Sequence, residues 1–170
     1  MSVLIIIGGA LATCAVLIVS LSPSVFFTAK RASYLRVLYP DSIIFSFAST
    51  GLANKYFKTL PRLDGRDHEF LPSYYTAVAS PHGLVVWAGW RSPRRLFDVP
   101  SERIASVTPG RYAEVGKIYR GLVFRVFDAS GTVVELAMSP LRTGRMPFTT
   151  MKTREITDLS EDLARILTRS

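Results

Sequence analysis

The densest group of side chains able to do chemistry is Arg91, Arg94 and Arg95, with Trp90 beside them. A planar guanidinium binds phosphate or carboxylate through two parallel hydrogen bonds, so this cluster could meet a phospholipid headgroup or an acidic partner. The plainer reading is a solvated basic rim that holds no discrete ligand. Arg111, Lys117, Arg120, Arg142 and Arg145 add positive charge farther along the chain. Their scatter, with no recognised reading motif, argues against nucleic acid as a partner.

Asp64, Asp67, His68 and Glu69 could offer oxygen and imidazole to a metal. Neighbours in one loop converge poorly, however, and neither HExxH nor an EF-hand pattern accompanies them, so a solvated loop is expected and no metal. His82 falls in a turn, where a general base would have no oriented partner. GxSxG, Walker A and GxGxxG patterns are all missing from the sequence, and the chain is therefore read as non-enzymatic and free of cofactor. The single cysteine, Cys14, lies in an apolar run. That excludes a disulfide-stapled domain, a cysteine zinc site and a cysteine nucleophile in the remainder.

These side chains must be positioned by a chain of 170 residues, 48% of them apolar, with a net charge of +8. That is long enough for one domain with its own core. The apolar content is uneven. Val3 to Leu21 contains no charged residue, and every Lys, Arg, Asp and Glu follows it. Nineteen helical residues rise about 28 Å, close to the hydrocarbon thickness of a bilayer, so an uncleaved membrane-crossing anchor is expected at 1–22. Met1 and Ser2 carry no positive charge and no clean small-x-small site follows, which disfavours a cleaved signal peptide. Lys30, Arg31 and Arg36 flank only the C-terminal end and are candidate membrane-surface contacts. They place the N-terminus outside the cell membrane and the domain in the cytoplasm. Gly8, Gly9 and Ala12 are candidate helix-packing positions, since Gly8, Ala12 and Val16 recur every four residues and could admit a second helix, leaving a homo-oligomer open.

Residues 23–42 read as a juxtamembrane connector, partly helical from Thr28 to Leu38, with Tyr34 and Tyr39 as interfacial aromatics. Residues 43–170 read as one domain. In 43–69, Ile43, Phe45 and Phe47 alternate as in a strand, a short helix lies within Thr50 to Leu60, and a polar loop follows. From 70 to 140 short β-rich runs alternate with turns, giving strands at Tyr74 to Ser80, Leu84 to Trp90, Arg94 to Val99 and Ile104 to Thr108. Pro109 to Arg120 reads as a long loop. The hairpin made by Leu122 to Val126, the turn Asp128-Ala129-Ser130-Gly131 and Val134 to Met138 is the most sharply marked. Trp87 is expected in the core with Val85 on its face, and Trp90 at the edge. Ile156, Leu159, Leu163, Ile166 and Leu167 mark a C-terminal amphipathic helix at 153–169.

Leu84 to Trp90, Phe97 to Val107, Gly121 to Leu136 and the helix Glu155 to Thr168 together resemble the pleckstrin-homology-like (PH-like) domain, particularly small bacterial membrane proteins in which a transmembrane helix precedes it. The resemblance covers about 100 residues and rests on pattern rather than on an invariant motif. It implies an antiparallel β-barrel or sandwich capped by the terminal helix, with Leu159, Leu163 and Ile166 in the open corner. Some relatives bind phosphoinositide headgroups through basic residues of the first hairpin loop. Here that loop, Ser80-Pro81-His82-Gly83, carries no Lys or Arg. The resemblance therefore implies a binding module more than lipid recognition.

The expected fold class is thus one N-terminal transmembrane helix plus an α+β domain with a PH-like barrel. The expected role is a membrane-anchored binding or scaffolding module, an accessory subunit of a membrane protein assembly. Beyond the lipid bilayer and a membrane protein, the partner weighed against that role is an anionic phospholipid held by the basic rim.

Overall fold

The computed structural model describes residues 27–61, 63, 72–89, 92–114, 116–142 and 149–167. Seven antiparallel strands form one sheet in the order β4-β3-β2-β1-β7-β6-β5. They are β1 (Ile43–Ala48), β2 (Tyr74–Ser80), β3 (Gly83–Ala88), β4 (Arg94–Pro100), β5 (Ile104–Glu114), β6 (Lys117–Phe127) and β7 (Val133–Pro140). Among the described residues three helices accompany them: α1 over 27–38, α2 (Gly51–Phe57) and α3 (Thr153–Leu167).

Strands β4 and β5 stand at opposite ends of the strand order, yet only the single 3-10 turn Ser101–Arg103 separates them in sequence. Three residues span roughly 10 Å at most, so the sheet curls until its two ends approach. The inner face of the curl is the core. Phe45, Phe47, Leu84, Val86, Phe124 and Leu136 alternate inward along their strands and are fully or almost fully buried. Helix α2 wedges into this space. Thr50 caps it, accepting from the Ala53 N–H at 3.0 Å while its hydroxyl donates to the Ala137 carbonyl at 2.7 Å, which binds the helix start to β7. Phe57 then stacks on Phe97 at 4.7 Å and 5°, and meets Tyr75 edge-on at 5.4 Å, joining β2 and β4 through one ring. Helix α3 lies mainly on β5, with Ile156, Leu163 and Leu167 in the same core. Glu155 fixes its start by accepting from the Lys152 N–H at 2.6 Å and from Arg142 Nη2 at 2.7 Å.

The outer face of β1 and β2 is covered as well. Thr28, Arg31, Ala32 and Leu35 recur at helical spacing along α1 and are buried, as are Thr76 and Val78 on β2. The 27–38 part of the expected connector is thus a helix packed on the domain.

Four expectations are corrected. No helix among the described residues is long and apolar enough to cross a membrane, and the span expected at Val3 to Leu21 lies outside them. The expected architecture of a membrane-crossing helix joined to a PH-like barrel gives way to a seven-stranded antiparallel sheet with three helices. The single-pass placement, with the N-terminus outside and the domain cytoplasmic, rested on that span, and no helix among the described residues supports it. Pro109 to Arg120 is not a loop: β5 and β6 continue as a two-stranded ribbon to the pair Glu114 and Lys117. Pro109 is accommodated because β5 is an edge strand.

Candidate functional site

The outer face brings together two groups of residues that lie far apart in sequence. Arg31 on α1 is 5% exposed, and its guanidinium spreads over three acceptors. Nε donates to Thr76 Oγ1 at 2.8 Å, Nη1 to the Gly89 carbonyl at 3.0 Å and Nη2 to the Tyr74 carbonyl at 3.3 Å. Burial pulls this guanidinium down to about 10, which leaves it cationic at neutral pH. Ser46 Oγ lies 3.2 Å from Thr76 Oγ1 and extends the network onto β1. Arg31 is therefore not a membrane-surface contact. It fastens α1 to β2 and to the turn between β3 and β4.

With that face of α1 committed, the opposite face is open to solvent. Tyr34 is 50% exposed, Val37 81% and Leu38 49%, at spacings that place them together on a helix. Lys30, one turn before Tyr34, is exposed beside them, and Arg36, the other candidate surface contact, is exposed farther round the helix. Just past the helix, the Tyr39 ring packs at 6.2 Å and 57° on Trp87. Trp87 is paired with Thr76, so it points to the outer face and not into the core, with Val85 sharing that face as expected. Its indole N–H is buried with no hydrogen-bond partner.

Arg95 is paired with Trp87 across β3 and β4 and so joins the same face. Its guanidinium donates to Asp98 Oδ2 at 2.9 Å, both side chains being about half exposed. Arg94 pairs with Ala88 and lies against Gly89. Gly89 has φ +107°, and a Cβ there would sit 2.2 Å from the Ser92 carbonyl oxygen, so the β3–β4 turn requires glycine where Arg31 grips it. Trp90 and Arg91 lie outside the described residues, as do Gly8, Gly9, Ala12, Arg145 and the Asp64 to Glu69 group. Arg142 is engaged with Glu155, and Arg111, Lys117 and Arg120 lie on the β5–β6 ribbon.

Sequence reasoning placed Arg31 with Lys30 and Arg36 and missed its burial. The signal was the recurrence of Thr28, Arg31, Ala32 and Leu35 at i, i+3, i+4 and i+7, which puts a cation inside an otherwise uncharged helical stripe. No group of three or more His, Cys, Asp or Glu able to hold a metal occurs among the described residues. The perturbed carboxylates serve local structure. Asp128 is held below its ordinary range by the Ser130 hydroxyl and the Thr132 N–H in the β6–β7 turn, and Glu155 by Arg142. Tyr56 and Tyr112 are pushed up, in each case mainly by burial.

What this arrangement can do is adhere. An apolar helix stripe that carries Lys30, rigidly mounted on a sheet, suits a partner that is apolar at its centre and has an acidic group beside it. Comparison with known proteins adds no relative: no family model, no curated protein and no solved structure matches the chain.

Proposed function

We propose that this protein is a non-enzymatic binding module, an accessory subunit that docks on a partner protein through the outer face of α1. The observation that carries the proposal is the pairing of a fully committed inner face with an open one. Arg31 spends three hydrogen bonds holding α1 in place, while Tyr34, Val37 and Leu38 remain exposed on it. A helix mounted this firmly loses little freedom on docking, which favours a specific contact. The likeness to the PH-like family belongs to this proposal. It is supported by the seven antiparallel strands and by the terminal helix that packs on β5.

Purification of the tagged full chain from its native host tests the proposal. A stoichiometric protein that co-purifies with the wild type, is lost with Val37→Glu and is retained with Val133→Glu supports it. Val133 is a comparably apolar exposed residue on β7 and serves as the control. Retention by both variants would contradict the proposal.

A second reading, an anionic phospholipid surface, draws on Lys30 beside the apolar stripe and on Arg36 farther round α1. It gains less from the Arg91, Arg94 and Arg95 cluster, since Arg95 is already paired with Asp98. Flotation with anionic vesicles, reversed by high salt and by Lys30→Glu with Arg36→Glu, would favour this reading over the first.

A further inference from the structure

A second surface lies on the β5–β6 ribbon. From Leu122 to Val126, β6 is paired on both sides, with β5 and with β7, but among the described residues Lys117 to Gly121 pairs with β5 alone. Strand β7 departs there to meet β1 at Ser139 and Pro140. Residues of a strand send their backbone N–H and C=O groups alternately to opposite neighbours, so this stretch offers a short strand edge. The edge borders a groove of about 440 Å³ lined by Ile118, Tyr119, Arg120, Met151, Lys152 and Thr153. The far wall is itself extended backbone, with the Met151 N–H donating to the Pro140 carbonyl at 3.0 Å and Thr150 bridging to Leu141.

The ribbon side of this groove is cationic. Arg111 sits directly opposite Arg120 in the ribbon, a like-charge pair that costs stability unless an anion joins it. The ion pairs among the described residues are Arg95–Asp98, Arg125–Glu135, Arg142–Glu155 and Arg165–Asp162, and none of them includes Arg111 or Arg120. Arg120 instead donates to the Thr153 hydroxyl across the groove. Lys152 adds a third cation, and Ile118, on the same ribbon face as Arg120, is 73% exposed.

We propose that this groove takes an extended acidic segment of another protein, added as a strand along Lys117 to Arg120. Its carboxylates would meet Arg111, Arg120 and Lys152, and its apolar side chains Ile118 and Met151. A second copy of this chain is disfavoured because it would bring the same cations together. A lipid headgroup would satisfy the charges and leave the strand edge unused.

The test uses the full chain and a labelled Glu-Val peptide of about ten residues that repeats Glu-Thr-Val-Thr, which sets Glu and Val in turn along one face of an edge strand. Anisotropy titration compares it with the Lys-Val counterpart and with a Glu-Val peptide N-methylated at every second residue. The Glu-Val peptide should bind at least about tenfold more tightly than either control, a factor that corresponds to one or two lost hydrogen bonds or charge contacts. Hydrogen exchange at Lys117 to Arg120 should slow on binding, and Arg120→Glu should weaken binding by about the same factor. Lys152→Glu on the opposite wall repeats that test should Arg120→Glu fail to fold, and the N-methylated peptide needs no variant. The proposal is overturned by affinity that survives N-methylation, by unchanged exchange at Lys117 to Arg120, or by failure of the Glu-Val peptide to bind. Val37→Glu should leave peptide binding unchanged, which separates this groove from the outer face of α1.

Discussion

Arg31 Nε donates to Thr76 Oγ1 at 2.8 Å, joining two buried side chains 45 residues apart on the outer face of the sheet. The bond is one of three from the same guanidinium, and the other two end on the Tyr74 and Gly89 carbonyls. Arg31→Met keeps the bulk of the side chain and removes every donor, leaving Thr76 and both carbonyls to find other partners. A loss of about 2 to 4 kcal/mol is expected in urea unfolding. Arg31→Lys should recover little of it, since one ammonium cannot reproduce a planar fork over three acceptors.

Gly89 should be equally intolerant. Alanine there must hold φ +107° and push a methyl into the Ser92 carbonyl oxygen. Gly89→Ala is expected to cost about 1 to 3 kcal/mol and to weaken the Arg31 bond to the same carbonyl. The chain contains only Trp87 and Trp90, which lie on either side of this position, so a shift in intrinsic fluorescence of the folded variant checks the second effect.

Phe57 is the ring through which α2 joins Phe47, Tyr75 and Phe97. Phe57→Ala leaves a cavity between the helix and three strands and should cost about 3 to 5 kcal/mol in thermal or urea unfolding. Leu52, on the exposed side of the same helix, gives the contrasting case. Leu52→Ala should fall within about 0.5 kcal/mol of wild type, as expected for surface substitutions.

The start of α3 carries an acid-sensitive contact. The Arg142 guanidinium, and after it the Lys152 N–H, hold the Glu155 carboxyl below its ordinary range. Because the folded value is the lower one, the unfolded chain binds the proton first. The contact's contribution is therefore present above the ordinary carboxylate range and is lost as pH falls through the folded value. Melting temperature should drop more steeply with acidification in the wild type than in Glu155→Gln. Equal slopes would show that Glu155 is not titrating in this contact.

Much of the fold was legible because it follows apolar alternation. The Asp128 to Gly131 turn between β6 and β7, the Phe45 and Phe47 strand and the terminal helix all carry a period that burial imposes. The β5–β6 ribbon does not. Of Arg111, Tyr112, Ala113 and Glu114 only Tyr112 is buried on this two-stranded arm, so no apolar alternation marks them and turn residues suggested a loop. The face of Trp87 was misjudged for a related reason. Val85 and Trp87 alternate with Leu84 and Val86, both sets are apolar, and only the cover supplied by Tyr39 decides which is outer. The candidate site was half legible. Lys30 and Arg36 are exposed as their charge suggested, whereas the burial of Arg31 depends on a hydroxyl and two carbonyls brought up from β2 and the β3–β4 turn.

The most direct measurement is photocrosslinking in the native host with benzoylphenylalanine placed at position 37, and at position 133 as the control. A protein adduct of one size formed from position 37 and not from position 133, and abolished by Tyr34→Glu, is the result predicted for a docking face on α1. Adducts of equal yield from both positions, or none from position 37, would contradict it.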